Sequence, residues 1–293
     1  MQSAFVIQTL LLSLTVAGLY AAIASGLALE FGVMRIINFA HGEFVMLGAF
    51  ATYFLNTRYG ISPVIGMLVA GLAMGLLSLA VFRAFLLRVL KQDEHNQILA
   101  TLGLSILITN LAVILWTPDA RALHAPPLLP TLRLGEVTVP GNNLFVLLIG
   151  ALLYVALMLF MTRTRYGVQL RLASDDPDLA TLAGVDVERM FGLSFVIGGI
   201  TAGIAGGLVA VVLYVQPSVG TDLVIRAFAI VVLAGLGSIP GALVGAILLS
   251  VAEGLTSTFV PNGASWGYGV AFLVIVVVLL LRPTGLFGKE MRS

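Results

Sequence analysis

Residues 227–252 read AFAIVVLAGLGSIPGALVGAILLSVA, an uncharged run that Gly235, Gly237, Pro240 and Gly241 interrupt near its middle. An apolar run of about 20 residues is long enough to cross the hydrocarbon core of a membrane as a helix. Glycine and proline weaken or remove backbone hydrogen bonds within a helix. The run therefore predicts two short spans or a re-entrant pair, at 223–237 and 240–257, separated by a break.

The rest of the chain repeats this apolar character. Of its 293 residues, 59% are hydrophobic and 10% are charged, whereas a soluble domain has about 25% charged residues. Further uncharged windows cover 1–29, 59–82, 96–118, 137–162, 190–221 and 254–281, and a candidate at 36–57 is apolar apart from His41 and Glu43. We predict an all-α fold: one polytopic transmembrane bundle over residues 1–293, with eight to nine segments and broken or re-entrant helices.

Composition and motifs exclude several functional classes. The net charge of +1 provides no basic patch for nucleic acid, and the chain has no cysteine for a disulfide or a thiolate metal site. No phosphate-binding loop of the GxxxxGK type followed by Ser or Thr occurs, and none of the three histidines has a second histidine at helical spacing. We therefore expect no catalytic site, no metal and no cofactor.

Basic residues predict the orientation of the segments. They cluster in three connections, which the positive-inside rule assigns to the cytoplasm. All three clusters lie on one side only if the apolar run 227–252 bends back, which gives an external N-terminus and a cytoplasmic C-terminus. The clusters are Arg83, Arg88 and Lys91; Arg163, Arg165, Arg171 and Arg189; and Arg282, Lys289 and Arg292.

Two further patterns concern local structure. The segment 119–140 contains Pro126, Pro127, Pro130 and Pro140, which predicts an irregular, partly extended external connection; it is either a plain connector or a docking surface for an external partner. Glycines recur every four residues at Gly199, Gly203 and Gly207, and again at Gly237, Gly241 and Gly245. Such stripes allow close contact between helices in lipid, and packing within the chain is favoured here over a subunit interface.

His41 and Glu43 are the ionisable residues of the 36–57 candidate. A charged group at the centre of a bilayer costs roughly 3 kcal/mol on insertion scales and marks a pathway or a buried partner. The two residues are two positions apart, so they point about 200° apart around a helix. This excludes a metal pair or a shared proton relay and leaves open either a role in a pathway or a position near the cytoplasmic interface.

The connection at 163–189 contains the sequence RYGVQLRLASDDPDLATLAGVDVER from Arg165 onward. Ser174, Asp175 or Asp176 can cap a helix that has Pro177 in its first turn, and Gly184 can end it. We predict a short helix at about 177–183, outside the membrane. Its apolar residues would face either a partner or the bundle itself; they are Leu179, Ala180, Leu182 and Ala183.

Four blocks together resemble the LivH-type permeases of branched-chain amino acid ABC importers. They are INFAHGEFVMLGA (37–49), the connection just quoted, VLAGLGSIPGALVGA (232–246) and LLLRPTGLFG (279–288), and they occur in the same order. The resemblance implies a non-catalytic inner-membrane subunit that imports an amino acid. Its implied partners are a LivM-type permease, two cytoplasmic ATPase subunits and a periplasmic substrate-binding protein.

The resemblance also implies two sets of site residues. The connection at 163–189 would be the coupling loop that docks on an ATPase, through Asp176, Pro177, Leu179, Ala180, Ala183, Gly184 and Val185. The translocation path would be lined by two broken segments, with Asn38, Phe39, His41, Gly42 and Glu43 in one and Gly235, Gly237, Pro240 and Gly241 in the other.

Two other functional classes remain as alternatives. A secondary transporter driven by an ion gradient would use His41, Glu43, Asp222, Arg226 and Glu253 as coupling sites. Relatives of this kind are also associated with urea and short amides, and the sequence does not separate these cargoes. An intramembrane enzyme would need clustered acids, histidines or a nucleophile in the bilayer, and no such cluster is visible in the sequence.

Overall fold

The computed structural model describes residues 2–288, so Lys289 and Arg292 of the third basic cluster lie outside the described residues. The chain is mostly helical, as predicted. Its helices are α1 (Gln2–Met34), α2 (His41–Tyr59), α3 (Pro63–Val81), α4 (Leu87–Val89), α5 (Glu94–Trp116), α6 (Gly141–Arg163), α7 (Arg165–Asp175), α8 (Pro177–Leu182), α9 (Val187–Val212), α10 (Val219–Ala234), α11 (Ile239–Phe259) and α12 (Gly267–Leu281). A π-helical turn, Phe82–Leu86, joins α3 to α4 without a break.

Within residues 2–288, six helical segments are long and apolar enough to cross a membrane. They are α1, the continuous α3–α4 segment, α5, α6, α9 and α11; α12 is a shorter apolar helix. Helices α2 and α10 pack into the same bundle. The polytopic all-α bundle is therefore confirmed, while the count of eight to nine segments stays a prediction.

Helix α9 forms the centre of the bundle because small residues line its faces. A Cβ atom added to Gly203 would meet backbone atoms of Ala70 and Gly71 in α3, and one added to Gly206 would meet the backbone of Val45 in α2. A Cβ atom on Gly199 would likewise meet Ser78 of α3, and one on Gly207 would meet Met67 of α3. The first glycine stripe thus serves helix packing within the chain, as predicted.

The outer surface of the bundle is apolar. On α3, exposed side chains recur at three- to four-residue spacing at Ile65, Leu68, Leu72 and Leu76. Helices α5, α6 and α12 have similar exposed rows, which include Leu107, Leu111, Leu148, Leu152, Leu273 and Leu280. A surface of this kind is unfavourable in water and favourable in lipid, which agrees with a bundle embedded in a membrane.

The long connection before α6 contains a short hairpin. Strands β1 (Leu132–Leu134) and β2 (Val137–Val139) pair antiparallel, with Leu132 opposite Val139. Gln8 of α1 anchors the hairpin: its Nε2 donates to the Thr138 carbonyl at 2.6 Å, and the Thr138 amide donates to its Oε1 at 2.8 Å. The prediction of a partly extended connection is confirmed.

Candidate translocation and coupling sites

The turn between α1 and α2 is held by a buried polar cluster. Nδ2 of Asn38 donates to Oε2 of Glu30 at 2.7 Å, and Nδ1 of His41 lies 3.0 Å from Oε1 of the same carboxylate. Nε2 of His41 lies 3.2 Å from the Ile23 carbonyl. Glu30 therefore fixes the non-helical residues that precede α2, a role that was not predicted from the sequence.

Glu43 has a different environment from His41, as their spacing predicts. Oε1 of Glu43 accepts hydrogen bonds from Ser105 of α5 at 2.9 Å and from Thr221 of α10 at 3.3 Å. The side chain is fully buried, yet its Oε2 has no hydrogen-bond partner. His41 and Glu43 thus belong to two separate clusters.

The structure places the two groups of predicted path residues at different parts of α10. In the first group, Gly42 lies against the backbone of Gly220 near the start of α10, and the ring of Phe39 lies 6.1 Å from that of Phe228 in its second half. The second group follows the last residue of α10. Gly220 and Gly235 are 15 positions apart, so the Gly42 contact and the second group are separated by about 22 Å along the helix axis.

The second group forms the predicted break between α10 and α11. Gly235 and Gly237 have φ angles of +95° and +82°, which favour glycine. The Ser238 hydroxyl accepts from the Gly241 amide at 3.1 Å and caps α11, which has Pro240 in its first turn. The break is confirmed. The first and last residues of the two flanking helices differ from the predicted ones by at most four positions.

The chain after α12 covers this break. The amide of Leu286 donates to the Leu233 carbonyl at 3.0 Å, and the amide of Phe287 donates to the Ala234 carbonyl at 2.8 Å. These carbonyls end α10 and have no partner within the helix. The short segment after α12 therefore completes the hydrogen bonding of the broken helix.

A second polar network joins four helices. The Tyr20 hydroxyl donates to Oε2 of Glu253 at 2.7 Å, and Nε of Arg226 lies 3.0 Å from Oε1. The Arg226 guanidinium also lies over the Tyr268 ring, whose hydroxyl donates to Asp222. Three of the five residues named above as coupling sites for a secondary transporter, Asp222, Arg226 and Glu253, are thus bonded to protein groups.

The short helix predicted at about 177–183 is α8. Oδ1 of Asp176 accepts from the amides of Asp178 and Leu179, each at 3.0 Å, so Asp176 is the cap among the three candidates. The helix ends before Gly184, which has a φ angle of +81°. Both the helix and its stop are confirmed.

The apolar residues of α8 divide between two directions. Ala180 is buried against the bundle, and so is Val185, whose amide donates to the Ala180 carbonyl at 2.9 Å. Leu179 and Leu182 are 63% and 84% exposed. The sequence left open whether this face meets the bundle or a partner, and the structure shows that Ala180 faces inward while Leu179, Leu182 and Ala183 are exposed.

Helix α7, which the sequence analysis missed, attaches α8 to the bundle. The Thr164 hydroxyl caps α7 by accepting from the Gly167 amide at 3.0 Å. Near its end, the Ser174 hydroxyl donates to the Gly32 carbonyl of α1. Arg171 donates to the Met161 carbonyl of α6. The loop is therefore fixed to the ends of two membrane helices.

Comparison with known proteins gives relatives over nearly the whole chain. The chain is 31% identical over 298 residues to the high-affinity branched-chain amino acid transport system permease protein BraD of Pseudomonas aeruginosa, covering 97% of this chain and 96% of the relative. It is 28% identical to LivH of Escherichia coli (strain K12), with 98% and 97% covered. A probable LivH of Methanocaldococcus jannaschii is 26% identical, with 94% and 90% covered.

A solved structure has a similar fold. PsaBC from Streptococcus pneumoniae, in complex with a Fab, matches with a TM-score of 0.50 at 14% identity, over 97% of this chain and 94% of that chain. The model of the permease component of branched-chain amino acid transport systems matches residues 9–279. With its apolar spans, the chain is a multi-pass membrane protein of the bacterial inner-membrane type. It belongs to the family of branched-chain amino acid transport permeases.

Proposed function

We propose that the chain forms one half of the membrane channel of an ABC importer and carries branched-chain or related amino acids into the cytoplasm. Its partners would be a LivM-type permease, two cytoplasmic ATPase subunits and a periplasmic binding protein. The names of its relatives support the cargo, and family membership supports a transport subunit that is not itself catalytic.

The observation that carries the proposal is the pair of exposed leucines on α8. Leu179 and Leu182 project from a capped helix that lies outside the bundle. Exposed apolar side chains that are rimmed by polar residues mark interaction sites in soluble regions. An ATPase groove that covered these two leucines would remove them from water, so we assign α8 to the coupling contact.

The contacts of α7 suggest how a movement of α8 would reach the channel. Ser174 is bonded to the carbonyl of Gly32, and Gly32 packs directly against Gly237 in the α10–α11 break. Displacement of the coupling loop would therefore act first on the end of α1 and on that break. The closely packed glycines leave little space that could absorb a shift.

We further propose that the two discontinuities, before α2 and after α10, line the translocation path. Non-helical backbone is tolerated at membrane depth only where protein or a water-filled cavity surrounds it. Transporters commonly bind their substrates at the ends of interrupted helices. Gly42, which packs on Gly220, and Gly237, which packs on Gly32, are the contacts that would open or close such a path.

Replacement of Leu182 by Asp tests the coupling role. A buried aspartate would weaken the α8 contact, so uptake of radiolabelled leucine by proteoliposomes that contain the complete importer and internal ATP should be lost. The ATPase subunits should also co-purify less with the tagged chain. Membrane insertion should be normal, because Leu182 is 84% exposed and supports no packing within the chain.

The matched control is Leu134→Asp, which changes an exposed leucine of the external hairpin. It should leave the co-purification of the ATPases unchanged. Normal uptake by the Leu182→Asp variant would contradict the coupling role. Uptake that depends on an ion gradient and needs neither ATP nor the partner subunits would contradict the proposed function as a whole.

A further inference from the structure

Glu43 has a carboxylate without a cationic partner. The ion pairs found within residues 2–288 are His41–Glu30, Arg189–Asp186 and Arg226–Glu253, and none of them includes Glu43. The side chain is nonetheless 0% exposed. A buried carboxylate that is not paired is costly in a membrane protein and marks a functional site by default.

The neighbouring hydroxyl groups do not offset this charge. Ser105 and Thr221 both donate to Oε1 of Glu43, while Oε2 accepts from no group in the described part of the chain. Hydroxyl groups are neutral, so they orient the carboxylate without supplying a counter-charge. Part of the carboxylate thus remains able to bind a donor, and a cationic donor would fit best.

The backbone around Glu43 favours a negative charge there. Glu43 lies in the first turn of α2, beside Gly220 and Thr221 in the first turn of α10. The N-terminal end of a helix carries a partial positive charge. A Cβ atom on Gly220 would lie 2.5 Å from Oε2 of Glu43, so glycine at this position provides the space for the carboxylate.

The carboxylate lies directly beneath the surface of the chain at the junction of α2, α5 and α10. Thr221, which is bonded to Glu43, is exposed, and so is Ser218 in the non-helical segment before α10. Helix α5 contributes only Thr101, Ser105 and Ala112 as buried residues out of 23. A helix that packs so lightly can separate from α2 with little loss of buried area and open a way to Glu43.

The hydroxyl groups of α5 extend this polar environment along one face. Thr101, Ser105 and Thr109 are spaced four residues apart, so they lie above one another on the helix. Thr101 donates to the Ile37 carbonyl at 2.9 Å, which places this face against the chain just before α2. The site therefore combines one carboxylate with a row of hydroxyl groups that can accept as well as donate hydrogen bonds.

We propose that Glu43, with the hydroxyl groups of Ser105 and Thr221, binds the ammonium group of an amino acid during its passage through the channel. An ammonium group is a compact cation with three donors. Oε2 of Glu43 and the hydroxyl oxygens of Ser105 and Thr221 can accept hydrogen bonds from these three donors, and the carboxylate supplies the opposite charge. This inference rests on the proposed function, because it assigns a residue to the recognition of the cargo.

The test uses the complete importer in proteoliposomes, with leucine uptake and ATP hydrolysis measured on the same preparations. Loss of a charged hydrogen-bond acceptor should lower uptake by the Glu43→Gln variant about tenfold. ATP hydrolysis stimulated by the binding protein should remain close to that of the unmodified importer. Glu43→Asp, which keeps the charge, should retain more uptake than Glu43→Gln.

Glu94→Gln is the matched control, because Glu94 also lies in the first turn of a helix but is exposed to solvent. It should transport normally. Should Glu43→Gln fail to fold, the comparison moves to Ser105→Ala and Thr221→Val, which remove the orienting hydroxyl groups and keep the carboxylate. Each should raise the KM for uptake more than it lowers kcat.

Two leucine analogues separate ammonium recognition from a structural role. 3-Methylbutylamine has the leucine side chain and the amine without the carboxylate, and 4-methylpentanoate has the carboxylate without the amine. The amine should inhibit uptake by the unmodified importer more than the acid does, and this inhibition should weaken in Glu43→Gln. Leucine binding by the isolated binding protein is measured at the same analogue concentrations, to correct for competition there.

The outcomes separate the two proposals. Normal uptake by Glu43→Gln, or equal inhibition by the amine in both proteins, would overturn the ammonium site and leave the importer assignment intact. Absence of ATP-dependent leucine uptake by the unmodified complex would overturn the proposed function, and the ammonium site would fall with it.

Discussion

Nδ1 of His41 lies 3.0 Å from Oε1 of Glu30, and the side chain of each residue is only 1% exposed. The two residues belong to different helices on either side of the non-helical turn. Their contact therefore sets the direction in which α2 leaves the turn, and Glu43 lies two residues further along the chain. A stabilising role for this pair leads to the first prediction.

Replacement of His41 by Ala should lower the free energy of unfolding by about 2 kcal/mol, because the Glu30 carboxylate loses a buried hydrogen-bond partner. Denaturant unfolding of the purified chain in detergent measures this loss. In the double variant His41→Ala with Glu30→Ala, the free energy of unfolding should fall by about 1 kcal/mol less than the sum of the two single decreases. Additive losses would show that the two residues do not interact.

Replacement of Gly184 by Asn should preserve the end of α8, whereas replacement by Val should disrupt it. Nothing lies within 4 Å of a Cβ atom at this position, so the only penalty comes from the φ angle of +81°. Asn adopts positive φ angles more readily than most residues, whereas a β-branched residue there is an outlier. ATPase co-purification should be retained in Gly184→Asn and reduced in Gly184→Val. Equal behaviour of the two variants would argue against a backbone requirement.

Gly206→Leu should prevent normal assembly of the bundle. A Cβ atom at Gly206 already collides with the backbone of Val45, and rigid backbone cannot move aside as a side chain can. The amount of monodisperse protein on size-exclusion chromatography measures the effect. Gly103→Leu on α5 is the control, because a Cβ atom there meets nothing within 4 Å. Similar yields from both variants would contradict the role of α9 as the packing centre.

Arg226→Met should destabilise the chain more than the double variant Arg226→Met with Glu253→Gln. Removal of the guanidinium alone leaves the partly buried Glu253 carboxylate with the Tyr20 hydroxyl as its remaining partner. Breaking such a pair costs more than replacing both members. Thermal unfolding in detergent would rank the two proteins, and a less stable double variant would be evidence against the pairing.

Much of the fold follows from local sequence patterns. Uncharged windows predict the long helices because the hydrocarbon core accepts few other structures. The cap of α8 and the α10–α11 break are also local features, since Asp176, Gly184 and Gly235 act on neighbouring backbone groups. Helix α7 was not predicted because it is short and charged and so does not form an uncharged segment long enough to cross a membrane. Its buried residues Gly167 and Leu170 are spaced as in a helix, which was the available signal.

The partners of the buried polar residues were not predictable in the same way. Ser105 and Thr221 lie 62 and 178 residues from Glu43 in the sequence, and no periodic pattern relates them. One signal was available in the sequence: Glu30 follows 29 uncharged residues, and a carboxylate at the end of such a segment needs a partner. Its distance of eleven residues from His41 spans a non-helical turn, so helical geometry alone could not pair them.

The backbone pairing of Leu286 and Phe287 with the end of α10 ties two distant parts of the chain into one mechanical unit. A shift of the C-terminal end of α12 would therefore be transmitted to the end of α10 through these two hydrogen bonds. A truncation that removed these two residues would leave the carbonyls of Leu233 and Ala234 without hydrogen-bond partners, next to the α10–α11 break. Labels for optical or affinity work are therefore safer on the hairpin at 132–139 than close behind Gly288.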